Sequence, residues 1–315
     1  MINRTLVRTK VIQTLYAFYK DGEKSSLTAR KELLKSFSDT YSLYMMLLAF
    51  SDELVRCAEE HIVENKTRAA ITHQAYTPNR NFVNSIIAQQ LFNNNRLRNY
   101  LNENNLCWDA AHSSINAIYK QLLEAPYYIA YMQLEEPSYE DEKQLWRKIY
   151  GNLLLNNSEL EVALEELEVV LDYQNWTTDM DLVLTYVVKT IKRFTKEKGD
   201  DQELLEMFAS EAELLFAKDL LRLAIENADT YKGMIVNAAQ NWEAERIAYM
   251  DQVILLAAIT EIAHFNDIAL EVSMNEYIEL SKEYSSDKSY TFINGILNRI
   301  VRDLKQSGKL FKVVR

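Results

Sequence analysis

Glycine, proline, cysteine and histidine are all scarce in this chain, and each shortage removes a class of protein. Only 6 Gly and 3 Pro occur among 315 residues, against roughly 7% and 5% in average usage. Sheets joined by tight turns need more of both, whereas long helices with short polar links do not. The 2 cysteines, Cys57 and Cys107, have no CxxC spacing and no histidine at ligand spacing, which excludes a disulfide framework and a zinc site. Both are expected as buried free thiols in a reducing cytoplasm, with no metal and no cofactor. No apolar run reaches a membrane span: the longest, Val253 to Ile259, falls far short of the ~20 residues needed. Arg8, Lys10 and Gln13 interrupt the place where a secretory apolar region would lie. A soluble, cytoplasmic protein without a membrane partner is expected.

What is present is helical periodicity and a divided charge. Hydrophobic residues make up 48% of the chain and the net charge is −11. That total hides its distribution, because residues 1–35 carry 8 Lys/Arg against 3 Asp/Glu and residues 282–315 carry 8 against 3. Two basic ends on an acidic body suit phosphate contact if the fold brings them together, and are solvated tails if it does not.

In Ile2 to Lys20, Val7, Val11, Leu15 and Tyr19 recur every fourth residue, so the segment reads as an amphipathic helix. Arg4 and Arg8 lie one turn apart at its amino end, either capping the core with their stems or facing a partner. Asp21-Gly22 ends it. Further helices are expected over about 27–37 and 41–63, with Leu43, Met46, Leu47, Phe50, Leu54 and Cys57 inward, before the turn signal Thr77-Pro78-Asn79. Ser158 is placed to cap the next acidic helix, with Glu161 completing a capping box. The carboxylates from Glu159 to Glu168 read as a solvated face, since leucine and valine hold the core spacing and no histidine is near. Tyr127, Tyr128 and Tyr131 suit packing beside Pro126 better than base stacking. In the apolar segment Val253 to Ile262, Glu261 is expected to accept hydrogen bonds from backbone or a basic partner rather than to act as an acid catalyst. His264 closes that helix with no partner for nucleophilic work. Ser285-Ser286-Asp287 is expected to cap a last helix with Phe292, Ile293, Ile296, Leu297 and Ile300 on its core side. Gly295 within it costs about 1 kcal/mol relative to alanine, and close approach of another helix is the expected reason. No catalytic residue emerges.

The order NEYIELSKEYSSDKSYTFINGIL, residues 275–297, resembles the carboxy-terminal signature of the NusB family. Residues 217–235, AKDLLRLAIENADTYKGMI, followed by Trp242, Arg246 and Asp251, resemble an earlier part of the same family. Gln13-Thr14-Leu15-Tyr16 looks like its QALY-type element. The resemblance implies an all-α, NusB-like helical bundle carrying an inserted or added helical subdomain, divided as residues 1–65, 66–210 and 211–315. It further implies a noncatalytic antitermination factor that binds boxA-like single-stranded RNA with the small-subunit ribosomal protein NusE, within the transcription elongation complex, on ribosomal RNA operons. Carried over by position, Arg4, Arg8, Lys10, Lys288, Ser289, Phe292 and Asn294 become RNA contacts. Tyr16, Glu245 and Asp251 become partner contacts. Lys288 stands where the family is usually acidic, and Leu256 where an arginine often occurs. Two alternatives stay open: a helical protein-interaction scaffold without specific RNA binding, and a NusB-like domain joined to RNA methylation. The second lacks the strand, Gly-rich loop and helix of a nucleotide-cofactor fold.

Overall fold

The computed structural model describes residues 1–20, 22, 25–239, 247–286, 288–310 and 312. Among them are fourteen α-helices and no strand, only an isolated bridge between Ile2 and Phe208. The all-α expectation holds. No helix of the described residues is long and apolar enough to cross a membrane.

The chain forms two compact units, one of Met1 with Ser38–Met207 and one of Ile2–Phe37 with Phe208–Arg315. The first boundary falls inside α2 (Ser26–Ile71), a single helix where the sequence suggested two. Ser38-Asp39-Thr40 looks like a break because all three side chains compete for backbone hydrogen bonds. Here Asp39 and Thr40 are buried: the Trp176 indole donates to the Asp39 carbonyl at 2.8 Å, and Thr40 Oγ1 donates to Asp179 at 2.5 Å. Burial with partners overrides local propensity.

In the first unit, α2 is followed by α3 (Ile86–Asn93), α4 (Asn95–Glu103), α5 (His112–Glu124), α6 (Pro126–Met132), α7 (Tyr139–Lys148), α8 (Ser158–Leu171) and α9 (Trp176–Arg193). A π-helical turn, Ile149–Leu153, extends α7. Three tryptophans fill the core and each indole finds an acceptor, as buried N–H groups must: Trp108 on the Met46 carbonyl, Trp146 on Ser85 Oγ and Trp176 on Asp39. Tyr128 and Tyr131 are buried as expected. Asn157, not Ser158, caps α8, accepting from the Glu159 and Leu160 amides. Cys57 is buried but Cys107 is exposed, correcting the expectation of two buried thiols.

The second unit comprises α1 (Arg4–Lys20), the start of α2, α10 (Glu211–Glu226), α11 (Ala228–Ala238), α12 (Tyr249–His264), α13 (Leu270–Tyr284) and α14 (Ser289–Gln306). Helix α12 packs against α1, α10, α11, α13 and α14. Its run from Val253 to Ile262 is buried throughout, which is why it is apolar all round.

Candidate nucleic-acid interface

The amino end of α1 meets the carboxyl end of α12 and the face of α13. Arg8 is only 2% exposed. Its Nε and Nη2 donate to the two oxygens of Glu261 at 2.8 and 2.9 Å, and Nη1 reaches Glu276 at 3.2 Å. Ser273 Oγ and Tyr277 OH also donate to Glu261, at 2.6 and 3.0 Å, and Lys312 Nζ donates to Ser273 at 2.5 Å. Burial pushes the Glu261 carboxyl up, but Arg8, Ser273 and the Lys312 charge outweigh it and hold the group below the ordinary carboxylate value. The expectation that Glu261 serves structure through a basic partner is met.

That geometry departs from the expectation for two basic residues. Arg8 directs its fork into the core, and Lys10 is 1% exposed, so neither cation lies on the surface of the free chain. Arg4 differs: its side chain is 40% exposed, 3.2 Å from the exposed Asp267 and 5.3 Å from the Phe216 ring centre. Exposed pairs of this kind contribute little, so Arg4 can exchange its carboxylate for a phosphate.

A second cluster forms at the opposite end of α12, about 15 Å away along the axis at 1.5 Å per residue. Asp251 is buried and accepts from Ser285 Oγ at 2.5 Å and Ser289 Oγ at 3.0 Å. It therefore fastens the start of α14 to α12. Ser286 Oγ lies 2.8 Å from Ser289 Oγ. Lys288 occupies the N-cap without a side-chain cap bond, in place of the expected serine or aspartate. Beyond this clamp, Lys288 and Asn294 are exposed and Phe292 is half-buried. Asn298 Nδ2 donates to the Asn294 carbonyl at 2.9 Å and to its Oδ1 at 2.8 Å. Gly295 is exposed, and a Cβ built there meets nothing within 4 Å. The expected close helix is therefore not found among the described residues.

Tyr16 lies edge-on to Tyr249 at 5.2 Å, near the Asp251 end of α12. Tyr16, Asp251 and Ser289 thus gather at one end of that helix, and Arg4 and Arg8 at the other. Trp242, Glu245, Arg246 and Asp287 lie outside the described residues. His264, at the end of α12, has Nε2 2.7 Å from Tyr231 OH. No group of metal-ligating residues occurs among the described residues. Sequence reasoning missed Ser273, Tyr277 and Lys312 because their roles depend on Glu261, which is distant from each in the chain.

Comparison with known proteins adds a family. The NusB family model matches residues 178–302, from within α9 through most of α14. A transcription antitermination protein NusB of Heliobacterium modesticaldum is 38% identical over 102 residues, 32% of this chain and 50% of that protein. The one of Bacillus subtilis is 41% identical over 92 residues, 29% of this chain and 70% of that protein. The one of Acetivibrio thermocellus is 32% identical over 112 residues, 36% of this chain and 77% of that protein. The match thus spans about half the length of the Heliobacterium relative and 62% of one from Salinibacter ruber. No solved structure matches the chain. With more than two thirds of the Bacillus and Acetivibrio proteins covered at over 30% identity, the chain belongs to the NusB family.

Proposed function

We propose that this chain is a noncatalytic transcription antitermination factor that binds boxA-like single-stranded RNA together with a NusE-type small-subunit ribosomal protein. It would act within the transcription elongation complex on ribosomal RNA operons. The observation that carries the reading is the exposed face of α14. Lys288, Thr291, Gly295, Asn298 and Arg302 follow one another at helical spacing and are all exposed, with Asn294 beside them. Cations at both ends suit phosphates, amides between them suit base edges, and the glycine lets a base or ribose approach the helix backbone. Phe292 offers a half-exposed ring for stacking. Arg4 supplies a phosphate contact at the far end of α12, while Arg8 holds α1 in position from within the core.

The test is an anisotropy titration of labelled boxA-like RNA against a scrambled strand, with and without the ribosomal protein. A preference of about tenfold, or about 1.4 kcal/mol, is expected in the presence of the partner. Equal binding of both strands would sink the reading.

One observation favours a second reading, a protein-interaction scaffold without specific RNA binding. Helix α8 exposes Val162, Val169 and Val170 among glutamates, an apolar strip unlike a merely solvated face. Charge reversal at Arg4 and Lys288 separates the two: unchanged RNA affinity with partner binding lost would favour the scaffold.

A further inference from the structure

Helix α8, SELEVALEELEVVL, carries glutamates at 159, 161, 165, 166 and 168 and no basic residue. Its buried line is Leu160, Ala163, Leu164 and Leu167. On the opposite side Val162 and Val169 stand two turns apart on one outward line, 45% and 84% exposed, and Val170 beside Val169 is 65% exposed. Glu161, Glu165 and Glu166 are exposed around them.

This face is unfavourable to the chain alone. Glu168 has a role of its own, since its carboxylate accepts from the amides of Trp176 and Thr177 at the start of α9. Glu161, Glu165 and Glu166 have none: they pair with no cation among the described residues. Glu161 and Glu165, four positions apart, repel each other, and the last turn holds no basic residue to offset the helix dipole. Exposed valines add poor helix propensity and wet apolar surface. A covering partner with apolar groups and positive charge relieves all of these together.

The charge selects the class of partner. The first unit carries 27 Asp/Glu against 15 Lys/Arg, so this face repels nucleic acid and anionic lipid. No group of residues suited to a metal ion occurs among the described residues. The outside of a helix is convex and encloses no small molecule. An apolar line two turns long between carboxylates matches one face of a cationic amphipathic helix, with anchors at i, i+3 or i+4, and i+7.

We propose that the outer face of α8 docks a Lys/Arg-rich amphipathic helix of another protein, with its apolar line on Val162, Val169 and Val170 and its cations beside Glu161, Glu165 and Glu166. The inference stands apart from the RNA reading, because none of these residues lies on α1 or α14.

The probe is a labelled amphipathic peptide of about 18 residues, five helical turns, with leucines at i, i+3, i+4 and i+7 and lysines on both flanks. It is titrated against the full chain by anisotropy, beside a scrambled peptide of the same composition. Binding about tenfold tighter than the scrambled peptide is expected. Glu165→Lys with Glu166→Lys should weaken binding about tenfold, and Val169→Lys should do the same. Both variants should melt no lower than the unaltered chain, because they remove like-charge repulsion or exposed apolar surface. A peptide with glutamates in place of its lysines should bind the charge-reversed chain in preference to the unaltered one. Equal binding of the amphipathic and scrambled peptides overturns the proposal, as does affinity unchanged in both variants. Concentration-dependent self-association that Val169→Lys abolishes would assign the face to a second copy of the chain and also overturn it. Affinity for boxA-like RNA should stay the same in both variants, so failure of the docking face leaves the antitermination reading standing.

Discussion

Arg8 and Arg4 are one helical turn apart, yet they face different environments. Arg8 makes a bidentate pair with Glu261 in the core, a geometry lysine cannot reproduce. Arg8→Ala should destabilise the chain by about 3–5 kcal/mol because a buried carboxylate is left without its cation, read as a lower urea midpoint. Arg8→Met with Glu261→Leu should recover only part of that, since Ser273 and Tyr277 would lose their acceptor. The same pair sets an acid limit. Glu261 has its folded-state pKa lowered, so its contribution is present above the unfolded value of about 4.3 and is lost as pH falls through the folded value. The loss of stability on going from about pH 5 to 3 should be shallower in Glu261→Gln than in the unaltered chain.

At the scale of elements, α2 and α14 show opposite conflicts between local preference and structure. In α2 the polar triplet Ser38-Asp39-Thr40 stays helical because its hydrogen bonds are made in the core of the first unit. In α14 the glycine at 295 stays although nothing described touches its Cβ position. Gly295→Ala should therefore stabilise the free chain by about 0.5–1 kcal/mol, a rise in melting temperature. If RNA approaches the helix backbone there, the same change should weaken binding of boxA-like RNA. A stabilised variant with unchanged RNA affinity would remove Gly295 from the interface.

Over the whole molecule, charge divides with the compact units. Residues 38–207 carry 15 Lys/Arg against 27 Asp/Glu, and the remaining residues carry 20 against 19. The negative balance thus belongs to the first unit, while the unit holding most of the family match is nearly neutral. With Arg4, Lys288 and Arg302 as exposed phosphate contacts, log affinity for RNA should fall against log salt with a slope of about −2, at roughly −0.7 per phosphate on single strands. Reversing Lys288 should reduce that slope by about 0.7 or more. A slope near zero in the unaltered chain would rule out these contacts.

The sequence by itself determined the helical class, the burial of the Val253–Ile262 segment and the family resemblance at residues 275–297, because periodicity and motif order are local properties of the chain. It also required a partner for Glu261, since a buried carboxylate is costly alone. Only the tertiary structure decided that the partner is Arg8, that Asp251 fastens Ser285 and Ser289, and that Arg4 remains half-exposed. A helix repeats its faces every 3.6 residues but does not record which neighbouring helix covers each face, so two arginines one turn apart read alike until α12 and α13 are packed against them.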